Sequence, residues 1–289
     1  MKSSRIVLVV SLTAAVGLPG CSQSQPIVAP VEVVVQPSTV ELPDDPLDAR
    51  WDSVVAFPAA LIPQDMVEPR QLRVSTREVR VRALSDGVRV AFRLEWSDAT
   101  RDDMPMPAAF TDACAIQLPA AISADVPAPQ MGEPDRSVEI TLWRASWQAT
   151  VDGRGDTIQD IHPNAVPDHY PFEAASLESG SDIQRAMQQR YAPARALDNP
   201  MSGPREQPVE DLIGHGPGTL APAATTSSTG RGKRVADGWA VVVTRRLPEG
   251  LASGKRTQVA FAIWEGGSEE VGARKMRTGW APLLLEVKP

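Results

Sequence analysis

Two cysteines and three histidines limit the chemistry this chain can do. Cys21 and Cys114 are too few for a disulfide framework, a four-cysteine zinc site or a cysteine-ligated iron–sulfur cluster, and no C-x-x-C-H occurs for covalent haem attachment. Any electron carrier must therefore be held without cysteine. His162, His169 and His215 could gather a metal, but their scatter through a Pro-rich stretch reads as solvated surface. There is no G-x-S-x-G elbow, no G-x-x-x-x-G-K-[ST] loop and no H-E-x-x-H helix, and Gly230-Arg231-Gly232-Lys233 lacks the spacing of a phosphate cradle. The neighbouring carboxylates Asp102-Asp103 and Glu269-Glu270 read as turn residues rather than an acid/base pair, and the basic spot Arg231 to Arg234 as a solvated loop.

The elements that must position any site come from composition and period. Among 289 residues, 29 Lys+Arg face 36 Asp+Glu, a net −7, which offers no basic face for nucleic acid. Hydrophobic residues make up 42%, enough for a core, and 27 Pro with 20 Gly cut the chain into short elements, which disfavours a helical bundle. From Trp51 onward the dominant signal is period-two alternation. Val79, Val81 and Ala83 alternate with Arg80 and Arg82; after the Ser85-Asp86-Gly87 turn, Val88, Val90, Phe92, Leu94 and Trp96 follow in the same rhythm, predicting a hairpin. The rhythm returns at Val138-Ile140-Leu142, Trp239-Val241-Val243, Val259-Phe261-Ile263 and Leu283-Leu285-Val287, and only Ser181 to Tyr191 has a helical composition. These segments predict a mostly β protein: an antiparallel β-sandwich with long Pro/Gly-rich loops and few short helices, interrupted by an excursion over about 152–237 that includes the low-complexity stretch Pro222 to Gly232.

The N-terminus reads as an export signal. Lys2 and Arg5 precede the apolar run Ile6 to Leu18, too short to span a bilayer, and Leu18-Pro19-Gly20-Cys21 resembles a lipobox, cleaved before a cysteine that then carries lipid. Residues 1–20 are thus expected to be a lipoprotein signal peptide, Cys21 the lipidation site and 21–47 a flexible tether to a domain over 48–289. Cleavage removes Lys2 and Arg5, leaving 27 basic against 36 acidic groups in the mature chain, a net −9. The expected location is the periplasmic side, membrane-attached, with the outer membrane favoured in a Gram-negative host because Ser22 follows the cysteine where aspartate would mark inner-membrane retention.

Read in order, several strand and loop segments carry a resemblance. Val81-Arg82-Ala83-Leu84-Ser85-Asp86-Gly87, Phe92-Arg93-Leu94-Glu95-Trp96-Ser97-Asp98 and Phe110-Thr111-Asp112-Ala113-Cys114 come first. Met131-Gly132, Pro208-Val209-Glu210-Asp211-Leu212, Gly216-Pro217-Gly218, Asp237-Gly238-Trp239, Phe261-Ala262-Ile263-Trp264-Glu265-Gly266 and Lys275 with Trp280 follow. Together, from about Leu72 to Val287, they resemble the haem b-binding γ subunits of type II dimethyl sulfoxide reductase-like molybdoenzymes, the family of the ethylbenzene dehydrogenase, dimethylsulfide dehydrogenase, selenate reductase and chlorate reductase γ subunits.

The resemblance implies a β-sandwich holding one non-covalent b haem with methionine and lysine as axial ligands, which by position are Met131 and Lys275. Met276 and Met187 are reserve candidates for the thioether, and any of the three histidines for a slipped alignment. It further implies a non-catalytic electron-transfer subunit that relays electrons between an iron–sulfur β subunit, paired with a molybdopterin α subunit, and a periplasmic cytochrome or similar carrier. A lipobox and a long central excursion depart from the family's usual pattern. The alternatives are a haem-free β-sandwich lipoprotein binding carbohydrate or protein, with Trp96, Trp143, Trp147, Trp239 and Trp264 as candidates for a stacking platform, and a lipoprotein enzyme using Glu and Asp.

Overall fold

A computed structural model of the chain describes residues 30–106, 108–155, 163–164, 181–191, 197 and 205–287. In chain order its strands are β1 (Val33–Pro37), β2 (Phe57–Ala60), β3 (Ile62–Pro63), β4 (Glu78–Ser85), β5 (Arg89–Ser97), β6 (Ala113–Pro119), β7 (Val138–Arg144), β8 (Val209–Gly214), β9 (Ala221–Pro222), β10 (Thr229–Val235), β11 (Gly238–Arg246), β12 (Arg256–Trp264), β13 (Met276–Arg277) and β14 (Ala281–Leu285). Two helices are described, α1 (Ala145–Val151) and α2 (Asp182–Tyr191). No helix among the described residues is long and apolar enough to cross a membrane.

The strands form two packed layers. The first runs β10-β11-β5-β4-β1-β14, with β2 sharing the edge of β4 beside β1; the second runs β12-β6-β7-β8-β9, with β13 and then β3 added along β12. Strand β12 belongs to both, since Arg256–Val259 pair with β14 and Ala260–Trp264 with β6. The predicted hairpin is β4–β5, with Ser85 opposite Val90 and Arg80 opposite Glu95. Alternate residues fill the space between the layers: Val79, Val81, Phe92, Leu94 and Trp96 from one side meet Ile116, Leu118, Trp143 and Phe261 from the other. Trp143 is the hinge of an aromatic cluster, with ring centroids 5.2 Å from Trp239 and 6.3 Å from Trp96 in edge-on contacts. Strand β10 passes so close to this cluster that a Cβ on Gly232 would lie 2.2 Å from the Trp143 ring.

Three expectations need correction. The tether over 21–47 is partly inside the fold: Val33–Pro37 enter the sheet between β4 and β14, and Leu42 packs with Trp51 and Val54 over the outer face of the first layer. The run of Val33, Val34 and Val35 is β-branched and one face is buried, so its strand character outweighs the surrounding prolines. Both pairings of β1 are parallel, which makes the sandwich mixed rather than purely antiparallel. The excursion over 152–237 contains β8, β9 and β10, so the low-complexity Pro222 to Gly232 stretch begins and ends in sheet; Asp211 fixes the loop between by accepting from the Ser227 and Ser228 amides at 2.9 and 3.0 Å.

Strand β6 is buried on both faces. Cys114, Ile116 and Leu118 point into the sandwich, whereas Ala113 and Ala115 join Ile140, Leu142 and Leu212 in a second apolar layer on the outer face of the β6–β7–β8 sheet. The start of β6 is clamped by Asp112, whose carboxylate accepts from the amides of Asp102 and Gly266 and from Trp239 Nε1, each at 2.9 Å. Burial pushes this carboxyl up to about 7 in spite of those donors.

Candidate functional site

The second apolar layer is the floor of a cavity of about 450 Å³. Its centre is paved with small side chains, Ala113 and Ala115 of β6 beside Ala260 and Ala262 of β12. Alanines at adjacent, same-facing positions of two paired strands leave a flat, apolar shelf, while Ile140, Leu142 and Leu212 extend it across β7 and β8. This shape suits a broad planar ligand.

Met131 and Lys275, distant in sequence, both line this cavity. Met131 sits in the loop before β7 with φ +64°, a left-handed conformation that costs a side-chain-bearing residue about 1–2 kcal/mol. The surroundings enforce it. Met131 O accepts from the Gly216 amide at 2.8 Å, and Gly132 follows at φ +82° where a Cβ would approach the carbonyls of Arg136 and Gly214 to 2.9 Å. The same loop is tied to the floor by Gln117 Nε2 donating to Pro129 O at 3.0 Å, and to the C-terminal segment by Trp280 Nε1 donating to Pro127 O at 2.6 Å. A backbone held this firmly fixes the point from which the Met131 side chain enters the cavity wall.

Lys275 directly precedes β13, and its carbonyl accepts from the Gln64 amide at 3.0 Å. Its Nζ lies 5.0 Å from the centroid of Trp264 and makes no hydrogen bond or ion pair with any described residue. Burial, with the Arg277 charge adding to it, pushes the ammonium down to about 8. Trp264 pairs with Ala113 at one end of the β6 floor, whereas Gln117, which holds the Met131 loop, is four residues further along, about 13 Å away. The two side chains therefore address the shelf from opposite ends.

Met276 points the other way, fully buried in the sandwich core, because adjacent residues of a strand face opposite sides; it is unavailable as a thioether donor. Met187 lies on α2 and is not among the residues lining the cavity. His215 is exposed after β8, and His162 and His169 lie outside the described residues, as does Cys21. No cluster of three metal-ligating His, Cys, Asp or Glu occurs among the described residues. The tryptophan platform is not formed: Trp96, Trp143, Trp147 and Trp239 are buried, and Trp264 lines the cavity.

Sequence reasoning missed the polar groups that aim into this apolar space. Arg144, at the end of β7, and Arg277, in β13, both line the cavity, and the Nε of each is buried without a partner. Glu270 is also in the wall, but its carboxylate is satisfied by Gln71, Ser75 and the Glu265 amide. The signal available beforehand was the register: Arg144 lies opposite Ala113 and Arg277 opposite Ala262, so both share the face of the alanines.

Comparison with known proteins bears on this pocket. The structural likenesses are loose: carbohydrate-binding modules of family 9 from Caldicellulosiruptor kristjanssonii, in complex with cellotriose and with glucose, superpose with TM-scores of 0.43 and 0.40 at 9% and 8% identity. Each superposition covers 89% of this chain, and 94% and 96% of the respective modules. At that distance they carry no weight for ligand or function. A sequence relative in Haloferax mediterranei, ORF7, named as a respiratory nitrate reductase heme subunit, is 25% identical over 285 residues, 95% of this chain and 79% of its own. The family profile described as ethylbenzene dehydrogenase matches residues 48–276, a span that starts just before Trp51 and ends just past Lys275. With both pocket residues inside the matched span, the chain belongs to the ethylbenzene dehydrogenase family, the haem-binding γ subunits that its sequence resembles.

Proposed function

We propose that this chain is a haem b-binding electron-transfer subunit of a multi-subunit molybdenum-dependent oxidoreductase, with Met131 and Lys275 as the residues that would hold the haem iron. The carrying observation is that these residues line one cavity on a shelf of alanines, one an enforced thioether and the other an amine shifted toward its neutral, lone-pair form. The donor set fits the group: a soft sulfur, a nitrogen able to lose its proton, apolar walls and unpartnered guanidinium nitrogens for an acidic edge. When bound, the haem supplies one-electron exchange at its iron.

The chain's own residues hold and tune. The Met131 thioether favours the ferrous state and so raises the potential. Lys275 can bind iron only as the free amine, and the same burial that depresses its ammonium keeps that amine accessible near neutral pH. The alanine shelf and the Leu142 and Leu212 side chains would keep water from the cavity floor. The heme-subunit name of the Haloferax relative supports a subunit role. The partners proposed with it are an iron–sulfur β subunit, a molybdopterin α subunit that carries the catalysis, and an external cytochrome or similar carrier. We further propose export to the periplasmic side and anchoring through lipid on Cys21, carried by the lipobox-like Leu18 to Cys21. Cys21→Ser should then shift the protein from membranes to the soluble fraction.

The direct test is spectroscopic. The purified chain should show a Soret band and a low-temperature magnetic circular dichroism signature of methionine–amine ligation, lost in different ways by Met131→Ala and Lys275→Ala. A bis-histidine signature, or unchanged spectra in both variants, would overturn the ligand assignment, and a chain that binds no haem would overturn the function.

A further inference from the structure

The cavity has a charged end that neither axial ligand explains. Arg144 closes β7 and opens α1; its guanidinium lies 5.1 Å above the Trp147 ring and reaches the cavity wall beside Ala113 and Thr111. It donates no side-chain hydrogen bond among the described residues, no carboxylate there lies within ion-pair distance, and its Nε is buried with no partner. Glu210, on β8 one strand away, interacts electrostatically with Arg144 and Arg205, yet none of its oxygens comes within hydrogen-bond or ion-pair distance of the Arg144 guanidinium. Arg277 is less isolated, with a 3.4 Å contact to Thr278 O and Asp65 at 3.8 Å.

A guanidinium is always charged and presents a rigid fork of donors, so a half-buried one stacked on an indole and lacking an acceptor is matched by a planar, bidentate anion. The floor of the cavity is apolar and flat, and the anion is therefore best supplied by the rim of a largely apolar planar ligand. We propose that Arg144 is the carboxylate anchor of the pocket, forming a forked ion pair with a propionate of the bound haem and so fixing the ring's rotation on the alanine shelf. This rests on the haem reading above.

The test uses the full chain prepared without haem, titrated in the Soret region with iron protoporphyrin IX and with its dimethyl ester, which has the same ring but no carboxylate. Wild type is expected to bind the free acid at least tenfold tighter than the ester. Arg144→Gln should weaken the free acid about 10- to 100-fold, the range of a charge-assisted pair, and leave the ester unchanged. Arg144→Lys keeps the charge without the fork; it is expected to fall between the two, and decides the matter should the glutamine variant not fold. Equal weakening of both ligands, no preference in wild type, or a preference erased by Arg277→Gln instead would overturn the assignment to Arg144. If wild type binds neither compound, the haem reading itself fails, a result distinct from all of these.

Discussion

Lys275 should be the most reactive lysine in the haem-free chain at neutral pH. Pushed down from 10.5 to about 8, it is about one-tenth neutral at pH 7, whereas a lysine of ordinary value is neutral in roughly three molecules per ten thousand, a gain of about 300-fold in nucleophilic amine. Brief exposure to a limiting amine-selective reagent, followed by peptide mass spectrometry, reads this directly, with exposed Lys255 as the internal reference. Haem should protect Lys275 while leaving Lys255 labelled. The linkage runs in a defined direction. Between pH 8 and 10.5 the unfolded chain binds more protons than the folded one, so stability rises with pH across that window, and below it the depressed lysine is a standing cost. Lys275→Met should therefore stabilise the haem-free protein at pH 7 by about 1–3 kcal/mol, the upper end being the full drop and the lower a discount for solvent reaching the cavity. Labelling of Lys275 no faster than Lys255, or a methionine variant that melts lower than wild type, would refute the reasoning.

Other substitutions separate fold from function in the same way. Met131→Gly removes the left-handed strain along with the thioether, so the haem-free melting temperature should rise, by about 1 kcal/mol of stability, while haem retention in a gel-filtration assay falls. Ala262→Leu fills the shelf between Ala115 and Arg277; chemical denaturation should change by less than about 1 kcal/mol, but the Soret-to-protein ratio after reconstitution should drop. Gly232→Ala drives a methyl against the Trp143 ring and should cost about 1–3 kcal/mol in the same denaturation assay, with quenching or shift of the tryptophan emission.

The hairpin and the strands at β7, β11, β12 and β14 were legible because apolar side chains recur at every second residue, even in β11, where Gly238 to Arg245 are buried on both faces. Strand β6 was harder. Both its faces are covered, and the residues that make the site, Ala113 and Ala115, are informative only through their pairing with Ala260 and Ala262. Strand β1 was hidden by the prolines around it, and β10 by glycines that are needed for contact with Val209 and Trp143 rather than for flexibility. The seven residues of α1 carry no side-chain cap, so no start signal marks them. Met131 and Lys275 came from family resemblance; nothing in their spacing announced that the loop before β7 and the residue before β13 meet over one floor, a fact of long-range topology.

The placement of β1 between β4 and β14 has a consequence for assembly. The first described strand of the chain cannot complete its pairing until the last one, Ala281–Leu285, has arrived, and Lys275 lies only six residues before that closing strand. During synthesis, or passage through any export channel from the N-terminus, β1 must wait with one edge unsatisfied for nearly the whole length of the chain. Lys275 and the strand that closes the sheet thus arrive together, so a chain truncated near residue 280 should leave β1 paired with β4 alone, its other edge open.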